Sequence, residues 1–255
     1  MSSILKPKER KGLRIHQALA RQLGTAILSG RYKPGQSLNS EIELSAKLNV
    51  SRTAYREAMR ILTAKGLVES RPKAGTRITP RSRWNLLDPD ILAWMFLGDP
   101  DESFVRDLFE LRRLIEPAAA ALAAERRNSR HLVDLQAALE GMRQCGLDTV
   151  EGREADQQFH RAILDAAGNE ALGSLASSVG AAATWTTYFK QRNRALPRDP
   201  VPSHEKVFQA IKARDASRSR RAMESLLDDA LQDMGYRMTR SGRGSGSYRR
   251  RTDRQ

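Results

Sequence analysis

Residues 51–70, SRTAYREAMRILTAKGLVES, read as a helix built to lie on something negative, followed by the start of a strand. Ser51 is a good side-chain cap, a helix can run from residue 52 to 65, and Gly66 sits where a left-handed residue ends a helix. Tyr55, Ala58, Met59 and Leu62 recur at i, i+3, i+4 and i+7 and form one apolar stripe. Arg52, Thr53 and Arg56 fall on another face. Two arginines one turn apart at a helix start oppose the helix dipole, so the arrangement suits a helix whose first turns meet an anion, and a nucleic-acid backbone is the obvious one.

The flanking sequence supports that reading. Ile15, Leu19, Leu23 and Ile27 step by four and predict a first helix over 13–29, ended by Gly30. Pro34-Gly35 must turn. Ser40 and Glu43 form an S-x-x-E capping box for a short second helix through Leu44 and Leu48. Two short helices joined tightly, the second with basic and hydroxyl side chains at its start, make a helix-turn-helix. Strands at 67–69 and 77–79, joined by RPKAG, then add a hairpin, which makes the whole a winged helix. Lys73 at the hairpin tip is placed to approach a phosphate, and Gly75 serves the turn.

Charge is distributed to match. Of the 255 residues, 1–83 carry 18 Lys and Arg against 5 Asp and Glu, 84–235 carry 19 against 24, and 236–255 carry 7 against 1. A basic head and tail on a mildly acidic body suit a polyanionic partner at one end. The lone Cys145 rules out an internal disulfide and fits a reducing cytoplasm. The longest apolar run, 118–124, is too short to span a bilayer, so no membrane partner is expected. There is no phosphate loop, G-x-S-x-G or H-E-x-x-H, which removes the commonest catalytic classes.

The organisation expected is a flexible basic arm (1–12), a DNA-binding domain (13–80), a connector (81–102), an all-helical domain (103–236) and a disordered basic tail (237–255). The connector, with Trp84, Leu87, Leu92 and Trp94, is too apolar to be free and must pack on a neighbour. Helices are expected at 103–126 (kinked by Pro117), 129–144, 150–167, 169–190, 203–213 and 216–236. Within DQQFH, Asp156 and His160 share a helix face at i and i+4 and can bind one metal or one ligand, or simply each other. His204 opens a later helix. Arg112 either points into the bundle, where it would clamp a carboxylate, or lies in solvent paired with Glu116 or Glu110.

Pro34-Gly35, SEIEL, VSRTAYREA, GLV and Gly75-Thr76 stand in the order and spacing of the GntR family of bacterial transcription regulators. Over about residues 13–236 the chain resembles its FadR-type branch, with an FCD effector domain. The resemblance implies a mainly α fold: an N-terminal winged helix-turn-helix of three helices plus a β-hairpin wing, and a C-terminal all-α bundle. It implies a homodimer on double-stranded operator DNA, contacted by Arg52, Thr53, Arg56, Lys73 and Gly75; Ile42 replaces a usual arginine. It also implies a metal site, zinc or another divalent ion, at Asp156, His160 and His204, with Leu226 where a further histidine is usual. WNLLDPDILAW and Leu226 look like the sugar-acid-responsive (galactonate-type) members, in which the arginine at Arg112 engages the effector carboxylate. The function expected is therefore a cytoplasmic, effector-released repressor of a sugar-acid or related carboxylate operon. Its rivals are a regulator answering another small carboxylate through a zinc-assisted pocket, a metal-dependent enzyme, and a non-specific DNA-compacting protein.

Overall fold

The computed structural model of the protein describes residues 7–38, 43, 45–46, 49–71, 75–192 and 198–235. Helix α1 (Pro7–Leu28) begins six residues ahead of the expected 13. A proline at the first helical position lacks an N–H that would be unpaired there anyway, so Pro7 is a natural start. Of the expected arm, 7–12 are thus helical, while 1–6 and the expected tail lie outside the described residues, as do Ser40 of the capping box, Ile42 and Lys73. Glu43, Ser45 and Ala46 are helical.

Helix α2 (Arg52–Ala64) forms as its pattern dictates. The Ser51 hydroxyl accepts from the Ala54 N–H at 3.1 Å. Tyr55, Ala58, Met59 and Leu62 are buried against Leu19, Leu23 and Ile27 of α1. Strands β1 (Val68–Arg71) and β2 (Gly75–Ile78) pair antiparallel, with Val68 opposite Ile78 and Arg71 opposite Gly75. Leu67, expected in the first strand, instead closes the helix: its N–H donates to the Leu62 carbonyl, and its side chain is fully buried.

The connector folds onto this module. Helix α3 (Pro89–Leu97) starts with Pro89 after Asp88, whose carboxylate accepts from the Asp90 and Ile91 N–H groups. The Trp84 indole donates to the Thr79 carbonyl at 3.2 Å and to its hydroxyl at 3.1 Å, and Thr79 in turn donates to the Gly66 carbonyl. Lys65, the residue that caps the C-terminal end of α2, reaches Asp88 and Asp90 at 2.7 Å each. Burial works against its charge, but these two carboxylates outweigh it and raise the ammonium pKa above its usual value. Trp94 lies flat on Gly24 of α1, where a Cβ would come within 2.4 Å of the ring.

The remaining helices are α4 (Glu102–Arg126), α5 (Ser129–Cys145), α6 (Val150–Ala166), α7 (Glu170–Gly173), α8 (Ala176–Gln191), α9 (Val201–Lys212) and α10 (Ala216–Gln232). Helix α4 runs through Pro117 unbroken. The single helix expected at 169–190 is two: the Asn169 side chain caps α7, and the Ser174 hydroxyl bonds back to the Ala171 carbonyl and ends it. Helix α4 packs on α10 and α6, α6 on α5 and α8, and α9 on α10, so α4, α6, α8, α9 and α10 surround one interior point. Their core of Leu135, Leu139, Phe159, Ile163, Phe208 and Leu227 is separate from the one shared by the winged module, α3 and the adjoining face of α8. Among the described residues no helix is long and apolar enough to cross a membrane.

Gly66 carries the junction between α2 and the connector. Its φ is +76°, and a Cβ would lie 2.1 Å from the Arg83 carbonyl oxygen. Gly66→Ala therefore combines left-handed strain with a backbone clash, and is expected to destabilise the winged module by about 1–3 kcal/mol or more. Urea unfolding followed by tryptophan fluorescence reads this directly, and an unchanged midpoint would show that the junction is not as tight as drawn.

Candidate functional site

On α2, Arg52, Thr53 and Arg56 are exposed and lie off the buried stripe, as the periodicity required. Gly75 opens β2 in a left-handed conformation (φ +75°) and is exposed. Helix α2 is thus backed by apolar packing and anchored at its C-terminal end through Lys65.

The interior point of the bundle gathers the other predicted residues. Arg112, Asp156, His160 and His204 are 2–3% exposed and line one cavity of about 30 Å³. Arg112 points inward, and its partner is Glu116, one turn on and 1% exposed: Nε donates to Oε1 at 2.6 Å. Both alternatives for Arg112 were half right, since it is paired with Glu116 but inside rather than in solvent. Its Nη1 approaches the Thr186 hydroxyl of α8 at 3.4 Å.

The other Glu116 oxygen meets His160 Nδ1 at 2.5 Å. Burial alone would push the Glu116 pKa up, but Arg112 and His160 overcome it and hold the carboxyl at about 2. An ionised Glu116 accepts, so the His160 proton is on Nδ1 and Nε2 presents a lone pair. His204 is oriented likewise, with Nδ1 donating to the Pro200 carbonyl at 2.8 Å. Its Nε2 lies 2.9 Å from Asp156 Oδ1 yet makes no hydrogen bond. The separation is that of a hydrogen bond, so this nitrogen and the carboxylate either share a proton or take a cation between them. His160 Nε2 is 3.7 Å from the same oxygen. Asp156 is also ionised; burial opposes this, and His204, His160 and Arg112 together pull its pKa well below the carboxylate range.

Asp156, His160 and His204 therefore offer three donor atoms within 4.8 Å of one another, two of them oriented by outer partners. That is what a divalent ion asks of a site with open positions, and the unbonded His204 nitrogen is the atom a cation would satisfy. Leu226, 5% exposed, lines the cavity where the resemblance called for another ligand. Several charged groups in or beside the cavity escaped the sequence reading, among them Arg198, Asp229 and Asp233 as well as Glu116 and Lys190. Glu116 was visible through its i, i+4 spacing to Arg112 but assigned to the surface. Lys190, near the end of α8, carries no local signal.

Residues 15–78 match the bacterial regulatory proteins of the gntR family and residues 107–229 match the FCD domain. The chain is 32% identical to the galactonate operon transcriptional repressor of Escherichia coli, over 80% of this chain and 90% of that one. It is 31% identical to a putative L-lactate dehydrogenase operon regulatory protein of the same organism, over 82% of each. In fold it is similar to Lar, which controls expression of the agr system of Listeria monocytogenes, with a TM-score of 0.62, 17% identity and coverage of 92% and 99%. These relatives are regulators, which disposes of the enzyme reading. The chain belongs to the GntR family of bacterial transcription regulators, with an N-terminal winged helix-turn-helix and a C-terminal FCD domain, and is a DNA-binding regulator rather than an enzyme.

Proposed function

We propose that the protein is a cytoplasmic, homodimeric repressor of a sugar-acid or related hydroxy-acid catabolic operon, released from a pseudo-palindromic operator when the acid binds in the FCD cavity. Arg52, Thr53 and Arg56 of two copies enter successive major grooves, with Lys73 and Gly75 of the wing at the backbone. The effector carboxylate meets Arg112, whose fork still has N–H groups to give after Glu116 is served. Zinc or a similar ion at Asp156, His160 and His204 would supply open coordination positions for effector oxygens.

What carries this reading is helix α8, which faces both ways. One side brings Thr186 and Lys190 to the cavity. The other packs on the connector: Phe189 meets Phe96 edge to face at 5.8 Å, and Arg192 donates to the Gly98 carbonyl at 2.8 Å. The connector in turn holds Lys65 at the end of the DNA-reading helix. A ligand that shifts α8 changes the placement of α2 without touching it, which is what differential binding to two states requires. Galactonate and L-lactate, named for the two relatives, share a carboxylate beside a hydroxyl, and the cavity has groups for both.

Three outcomes follow. Arg52→Ala is expected to weaken binding to the promoter beside its own gene by about 10- to 100-fold, leaving the helical spectrum unchanged. Gel-shift titration decides it, and equal affinity of the parent protein for native and scrambled duplex would instead favour the compaction reading. Arg112→Ala would strand Glu116 inside the bundle at a cost of about 3–5 kcal/mol. The informative variant is therefore Arg112→Lys, which keeps the charge but loses the fork: operator binding should persist while release by the acid is blunted, and a normal release curve would remove Arg112 as the carboxylate anchor. After dialysis against a chelator, the protein should take up a single zinc ion per chain, and Asp156→Asn should weaken that uptake at least tenfold in competition with a chromogenic chelator; identical uptake would remove the metal from the account.

A further inference from the structure

Helix α8 delivers to the cavity a third cation that none of the foregoing roles uses. Lys190 is 9% exposed and lines the same cavity as Arg112, Asp156 and His160. The other two cations there are matched: Arg112 by Glu116, and Arg198 by Asp229 at 2.6 Å and Asp233 at 3.0 Å. Lys190 has no hydrogen-bond or ion-pair partner among the described residues, and feels Asp156 and Asp233 only at longer range. Burial therefore costs its ammonium proton affinity, and the two carboxylates recover only part. A buried ammonium without an acceptor is expensive, so one kept facing a cavity is a site for an acceptor that arrives from outside.

Its position says which acceptor. Thr186, which touches Arg112, and Lys190 are at i and i+4 on one face of α8, about 5–6 Å apart. Arg112 and Lys190 line one cavity from different helices, so a ligand with its carboxylate at Arg112 meets Lys190 with a different part of the molecule. The charge balance adds a second restriction. Counting formal charges apart from the two histidines, Arg112, Lys190 and Arg198 face Glu116, Asp156, Asp229 and Asp233, leaving one net negative charge; a divalent ion makes it one net positive charge, which a single carboxylate cancels. A second carboxylate would leave uncompensated charge in a closed space. Leu147, Arg198 and Pro200 separate the cavity from a surface hollow of about 980 Å³, and this shared wall is where a longer ligand gains room.

We propose that Lys190 is the second effector-binding residue, donating to a distal hydroxyl of a polyhydroxy monocarboxylate and so selecting such acids over short hydroxy acids and over dicarboxylates. This rests on the effector reading above. Where that reading requires only a carboxylate, Lys190 requires chain length.

The test uses the zinc-loaded full chain, the variants Lys190→Met and Lys190→Gln, and three probes: D-galactonate, L-lactate and L-malate. Binding is read by calorimetry and by thermal shift. The parent protein should prefer galactonate to both other acids. Each variant should bind zinc as the parent does and melt no lower, since an unpaired buried charge has been removed. Each should lose about 10- to 100-fold in galactonate affinity, the range for a hydrogen bond to a charged group, and markedly less in lactate affinity, which loses only the counter-charge, so that the preference for galactonate collapses. A merely structural lysine would lower affinity for both acids alike, or the melting temperature, and leave the preference unchanged; that result overturns the assignment. Undiminished galactonate binding by the variants overturns it too and leaves the effector reading standing. Failure of the parent protein to bind any of the three acids brings down both.

Discussion

The interior of the FCD domain is organised around one buried carboxylate, which is given both a donor and a cation. Glu116, at 1% exposure, would be neutral if burial alone decided. It is ionised because Arg112 on its own helix and His160 on α6 both face it. That choice propagates. An ionised Glu116 fixes the His160 proton on Nδ1, which turns Nε2 toward Asp156, and the Pro200 carbonyl does the same for His204. Four helices and the turn before α9 are thereby tied to one point by polar contacts whose geometry tolerates little sliding. Around it the apolar core can be ordinary: Phe159 packs edge to face against both imidazoles, at 6.1 and 5.2 Å.

The same constraint explains why the site reaches the DNA-binding end. Helix α8 contributes Thr186 and Lys190 to the polar point and its opposite face to the apolar cluster of the connector and winged module. A helix is stiff along its axis, and close-packed faces do not deform gradually, so a change at one face is felt at the other as a displacement of the whole element. The connector is joined to both sides by short-range contacts at the two ends of α3: Lys65 on Asp88 and Asp90 at its start, Arg192 on the Gly98 carbonyl just past its end.

How much of this the sequence carried depended on how local the deciding physics was. The DNA-reading helix was legible residue by residue, because cap, stripe and glycine all lie within sixteen positions. The connector's burial was legible from its tryptophans, although not which surfaces it meets. The start of α1 was missed because charged residues around Pro7 resemble a free arm, whereas proline at a first turn is compatible with helix. The break between α7 and α8 was missed because Ser174 and Asn169 act through side-chain bonds that an apolar period does not register. In the cavity, Asp156 and His160 were found by spacing and His204 by resemblance. Glu116 and Lys190 were not found, since their burial is decided by which neighbouring helix covers them, a non-local fact.

Leu226 shows why the cavity differs in kind from a closed metal cage. Its side chain is buried among Met223, Leu227 and the apolar side of the bundle, so that edge of the site offers no donor atom. An ion with three protein ligands would keep positions for oxygens from elsewhere, and Arg112, Lys190 and Arg198 line the same cavity. The missing ligand and the unmatched ammonium of Lys190 therefore belong to one arrangement: under the proposed reading, the open side of the coordination faces the place where an anionic, oxygen-rich molecule would be held.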